Sequence, residues 1–86
     1  MDVKQAVGIA IKFMTEIYTE KELPGLLLEE VEFSSENDTW RVTLGFDRPA
    51  RPSPLEIISG PRPPRAYKVV TINAKTGEVV SMKMRD

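Results

Sequence analysis

The eight residues from Thr39 to Phe46 alternate without a break: Trp40, Val42, Leu44 and Phe46 on one side, Thr39, Arg41, Thr43 and Gly45 on the other. A period of two is that of a half-buried β-strand. A slip of one residue in its pairing would turn the tryptophan and its apolar neighbours outward, so this run dictates both a strand and the face that must be covered. The preceding run, residues 26–33, becomes strand-like toward its end, with Val31 and Phe33 opposed to Glu30 and Glu32. Residues 34–38, Ser-Ser-Glu-Asn-Asp, are turn formers between the two. With Phe33 opposite Trp40, Val31 meets Val42 on the core side and Glu32 meets Arg41 on the far side as an opposite-charge pair.

Residues 66–73 and 78–85 form a second β-ribbon. Lys75-Thr76-Gly77 reads as a three-residue turn with Gly77 in the left-handed conformation, which sets Ala74 opposite Glu78. In that register Ile72 faces Val80 and Val70 faces Met82 on the core side. Thr71/Ser81, Val69/Lys83 and Tyr67/Arg85 pair on the other. Tyr67, Val69 and Val79 then fall on the back of the ribbon, either exposed as an interface or covered by the intervening loop through Ile57 and Ile58.

Both ribbons need a cover for one apolar face, and residues 3–20 supply it. Val3, Ala6, Val7, Ala10, Phe13, Met14 and Ile17 recur at helical steps, and Ile9, Ile11 and Tyr18 widen the stripe to that of a well-buried helix. Asp2 is an N-cap with Gln5 three residues on, as in a capping box. Gly8, unfavourable in a helix interior, is expected to mark a close approach of helix to sheet. Pro24-Gly25 stops the helix. The expected fold class is α+β: one N-terminal helix packed on a four-stranded antiparallel meander, α-β-β-β-β, in a single domain over residues 1–86. A Pro/Arg-rich loop at 47–65 holds six of the seven prolines and cannot run through a sheet interior.

The chain has neither cysteine nor histidine. Disulfides, thiolate nucleophiles, Cys- or His-ligated metals and a histidine general base are all excluded. No enzyme activity, cofactor or metal is expected. No apolar stretch is long enough to cross a bilayer, and a cytoplasmic location with no membrane partner is expected unless a leader has been removed. The net charge of −1 conceals eight acids against one base in residues 16–38, and four arginines against two acids in residues 47–65. The acids Glu29, Glu30, Glu32, Glu36 and Asp38 lack the glycine-bent spacing of a calcium loop and read as a solvated strand face. Arg48, Arg51, Arg62 and Arg65 lie among PxxP spacings (Pro49–Pro52, Pro61–Pro64) suited to an aromatic groove, against the simpler reading of a solvated excursion. Nucleic-acid binding through these arginines is disfavoured, because no aromatic lies among them to stack on a base.

The run from Val3-Lys4-Gln5-Ala6 to Ile17, the strands Trp40-Arg41-Val42 and Tyr67-Lys68-Val69-Val70, and the turn from Asn73 through Gly77 to Val80 together resemble the PepSY group of small domains. More broadly, they resemble the cystatin-like shape of a helix laid across a curled meander. The family usually has Asp where this chain has Asn73. A second likeness is to gas vesicle protein O, which also has an N-terminal helix, a Trp-x-Val strand, a proline-bearing segment and a Tyr-x-Val strand. Neither family offers a catalytic residue to carry over. The PepSY likeness implies binding or inhibition of a protein partner.

The expected function is therefore a non-catalytic interaction module. It would engage a protein partner or form a homodimer through Tyr67, Val69 and Val79, with Arg48, Arg51, Arg62 and Arg65 as a second contact. The alternatives are a small-ligand pocket between helix and sheet, or nucleic-acid binding through the arginine loop.

Overall fold

The computed structural model describes residues 1–19, 21–47 and 65–85. Its elements are α1 (Val3–Ile17), β1 (Leu27–Ser34), β2 (Thr39–Asp47), β3 (Arg65–Asn73) and β4 (Val79–Arg85). The strands form one antiparallel sheet in the order β1-β2-β3-β4, so β1 and β4 are its edges. The expected α+β class, a single helix on a four-stranded meander, is the observed one, with the helix-then-meander order of a cystatin-like shape.

Helix α1 begins with the expected capping box: the Gln5 N–H donates to Asp2 Oδ1 at 2.8 Å, and the Asp2 N–H donates to Gln5 Oε1 at 2.9 Å. Ala6, Ala10 and Met14, one turn apart, are its fully buried positions. The helix ends at Ile17, short of the expected residue 20, with Tyr18 extended. Local bonds compete there. The Thr19 N–H and hydroxyl both donate to Glu22 Oε1 at 3.0 Å, and the Glu22 N–H donates back to the Thr19 carbonyl at 3.0 Å. The two bonds that Thr19 donates to the Glu22 carboxylate, the backbone N–H before the hydroxyl, hold it below the ordinary carboxylate range. Tyr18 turns inward instead, its hydroxyl accepting a bond from the Lys68 ammonium at 2.7 Å.

Gly8 does not lie against the sheet. It is exposed, and a Cβ built on it would meet nothing within 4 Å among the described residues. Gly8→Ala is thus expected to raise stability by about 1 kcal/mol, the ordinary helix-propensity gain, read as a higher urea midpoint. A loss of stability would mean that the helix backbone there is not regular.

The first hairpin has the predicted register, with Val31 opposite Val42, Glu32 opposite Arg41 and Phe33 opposite Trp40. The Glu32–Arg41 ion pair closes to 3.0 Å, and the Phe33 and Trp40 rings pack tilted with centroids 5.1 Å apart. An irregularity between Leu28 and Glu30 leaves Glu29 as an extra residue and brings Leu28 onto the helix side, opposite Leu44. Val42, Leu44, Val70 and Ile72 are sealed completely between the two central strands and α1.

The second hairpin departs from the prediction at its tip. The Asn73 N–H donates to the Glu78 carbonyl at 2.8 Å, so the turn holds four residues, Ala74 to Gly77, rather than three. Asn73 Oδ1 builds this turn by accepting from the N–H groups of Lys75 at 2.8 Å and Thr76 at 3.1 Å, and Gly77 takes the expected left-handed φ of 78°. One extra turn residue moves Val79, not Val80, opposite Ile72. A bulge then absorbs Val80, and Thr71/Ser81, Val70/Met82, Val69/Lys83 and Tyr67/Arg85 pair as predicted. Val80, expected in the core, is 61% exposed.

Candidate functional site

Of the four arginines singled out in the sequence, Arg48, Arg51 and Arg62 lie outside the described residues, as does the interior of the Pro/Arg-rich segment. Arg65 is described, and it opens β3. Its guanidinium donates to Asp47 Oδ1 at 2.8 Å, to Glu29 Oε1 at 3.2 Å and to the Gly25 carbonyl at 3.1 Å. It therefore ties β3 to the end of β2, the β1 bulge and the turn before β1. Arg65 is a fastening of the fold rather than a free cation of a docking loop.

The back of the second hairpin is also less open than expected. Tyr67 and Val69 are half-buried. Tyr67 lies beside Gly45 and under the Arg85 guanidinium, 5.8 Å from the ring centroid. Val79, expected on this face, is on the opposite one. The four-residue turn places it across from Ile72, where it packs against the core. The three residues expected to form one patch are thus split between the two faces of the sheet.

The acidic cluster disperses into ion pairs. Glu29 goes to Arg65, Glu32 to Arg41 and Asp38 to Lys75 at 3.5 Å, while Glu30 reaches over the back of the sheet toward Arg85 at 4.0 Å. Among the described residues no group of His, Cys, Asp or Glu converges as a metal site. No helix there is long and apolar enough to cross a membrane.

Some exposed apolar side chains lie together where α1 passes over β1. Val3 and Ile11 of the helix are 42% and 37% exposed, and Leu28 and Phe33 of β1 are 45% and 47% exposed. Val3, Val7, Gly8 and Ile11 face Leu28 across a shallow groove of about 400 Å³, with Lys4 at its rim. Gly8 also lines a second hollow, between the start of α1 and the 74–77 turn. Neither hollow is lined by Trp40, although the Trp40 indole N–H is buried without a hydrogen-bond partner among the described residues. The groove was legible in part: α1 carries more apolar positions than one side of a helix can bury. That width predicts deeper burial, whereas Val3 and Ile11 remain open to solvent beside Leu28.

No family model, curated protein or solved structure matches the chain.

Proposed function

We propose that this domain is a non-catalytic protein-interaction module, binding or inhibitory in the manner of PepSY domains, that takes its partner in the groove between α1 and β1. The observation that carries the reading is the grouping of Val3, Ile11 and Leu28, each more than a third exposed, around the groove on the helix side of the sheet edge. A small domain that leaves several large apolar side chains in one place has a surface suited to burial by another molecule. Gly8 supports the same surface. An exposed helix-interior glycine costs stability that no contact within the described chain recovers, and it leaves an open gap beside the groove. The groove's lining is almost wholly apolar and offers no converging acid, base or nucleophile, which favours binding over chemistry.

The test compares proteins retained by the immobilised full chain with those retained by the double variant Ile11→Glu/Leu28→Glu. Both side chains are partly exposed, so parent and variant alike are expected to melt cooperatively. The reading predicts partners retained by the parent and lost from the variant. Equal retention by both would overturn it.

A further inference from the structure

Among the described residues no further strand pairs with β1 or β4, and these two edges are complementary to each other and repellent to themselves. On β1, the regular stretch beyond the Glu29 bulge runs Glu30, Val31, Glu32, Phe33 and Ser34, with both glutamates on the far face and Val31 and Phe33 on the helix side. On β4, the regular stretch beyond the Val80 bulge runs Ser81, Met82, Lys83, Met84 and Arg85, with Lys83 and Arg85 on the far face and Met82 and Met84 on the helix side. All four charged residues are exposed, as are Phe33 and Met84 at 47% and 56%. Glu32, paired with Arg41 at 3.0 Å, and the Glu30–Arg85 couple, at 4.0 Å within one chain, would exchange or share those contacts across a joint between copies.

Opposed residues of an antiparallel pair point to the same face, so two edges can be compared register by register. Setting β4 of one copy antiparallel to β1 of another, with Met84 across from Val31, also sets Lys83 across from Glu32, Arg85 across from Glu30, Met82 across from Phe33 and Ser81 across from Ser34. Charge meets opposite charge on one face and apolar meets apolar on the other. Moving the register by two residues either way brings Lys83 against Ser34 or, past the Glu29 bulge, Arg85 against Leu27 on the same face. Pairing β1 with β1 instead opposes glutamates, and pairing β4 with β4 opposes lysine and arginine, arrangements that like-charge repulsion disfavours.

We propose that the chain self-associates head to tail, β4 of one copy extending onto β1 of the next. This names a second copy as a partner within the interaction reading above, though the contact lies on the strand edges and not in the groove. The meander alternates direction, so β1 of the next copy has the orientation that a fifth strand would need. The helices then lie on the same side of a continuous sheet. Such a contact does not close on itself after two copies. Two five-residue edges bury less than ~1,000 Å² with their flanking side chains, which belongs to the weak, transient class of interface. Its opposed surface charges make it sensitive to salt.

Sedimentation of the intact chain from micromolar to millimolar concentration tests this. The mean mass is expected to rise past that of a dimer, and to fall back with added salt. Lys83→Glu/Arg85→Glu gives a chain with two acidic edges, and Glu30→Lys/Glu32→Lys gives one with two basic edges. Each alone is expected to stay monomeric, and an equimolar mixture is expected to regain association. The regain on mixing shows that both variants are folded, and Lys83→Glu alone, at an exposed position, gives a milder loss on the same axis. A monomer at every concentration would overturn the proposal. So would a mass that stops at a dimer, or association indifferent to the charge reversals. The Ile11→Glu/Leu28→Glu variant separates the two readings. It leaves residues 30–34 and 81–85 intact, so it is expected to self-associate while losing groove partners.

Discussion

Leu44→Ala is expected to remove about 2–5 kcal/mol of folding free energy. Leu44 is fully buried in β2, between Leu28 on β1 and Lys68 on β3, beneath α1. Ladders on both sides hold its backbone, so the neighbours cannot close the space left behind, and a cavity term adds to the lost transfer energy. An 86-residue chain has only about 4–13 kcal/mol of total stability. The variant should therefore show a large fall in urea midpoint, or a substantially unfolded population at 37 °C. Val80→Ala provides the contrast: with Val80 outward at the bulge, its effect should stay within about 0.5 kcal/mol. A small effect at Leu44 with a large one at Val80 would mean that the bulge is misplaced and the sheet faces are exchanged.

Gly25→Ala is expected to cost about 2–3 kcal/mol, although the residue is exposed. Two effects combine. Gly25 has a φ of 67°, in the left-handed region that a side chain disfavours. A Cβ there would also lie 2.5 Å from Asp47 Oδ2, the carboxylate that holds Arg65. The Asp47 main chain is held, its N–H donating to the Pro24 carbonyl at 2.7 Å, so the carboxylate can yield only by turning about its own side-chain bonds, away from Arg65. Displacing it loosens the fastening between the turn before β1, the end of β2 and the start of β3. Arg65→Met removes the same fastening from the other side while keeping the apolar stem. The two substitutions should be less than additive by at least about 0.5 kcal/mol in a double-mutant cycle, because both act through Asp47. Full additivity would show that the cost at Gly25 is backbone strain alone.

Features set by short-range periodicity and turn chemistry were legible in the sequence. The capping box follows from Asp2 and Gln5, and the first hairpin's register follows from the alternation around Trp40 and the Glu32–Arg41 pair. The second hairpin shows where such reading stops. Lys-Thr-Gly fits a three-residue turn, but Asn73 accepts two backbone N–H groups and stabilises a longer one, a competition between local bonds that residue types alone do not rank. The error stayed local to Val79 and Val80, yet it removed Val79 from the surface chosen for binding. Gly8 was misread for a different reason: a helix glycine tells that something needs room, not whether that something belongs to the same chain. The exposure of Ile11, Leu28 and Phe33 was illegible because it depends on how far one helix reaches over an edge strand. Periodicity says which side a residue is on, not how much lies above it.

The bulge at Val80 makes the tip of the second hairpin and its body independent in length. Dropping one residue from the 74–77 loop would let Val80 slide back into line with Ile72, and Ser81 through Arg85 would keep their partners. The hairpin has slack of a single residue, stored where the ladder can release it. A deletion at this tip, unlike one inside β2, is therefore absorbed before it reaches the buried half of the sheet.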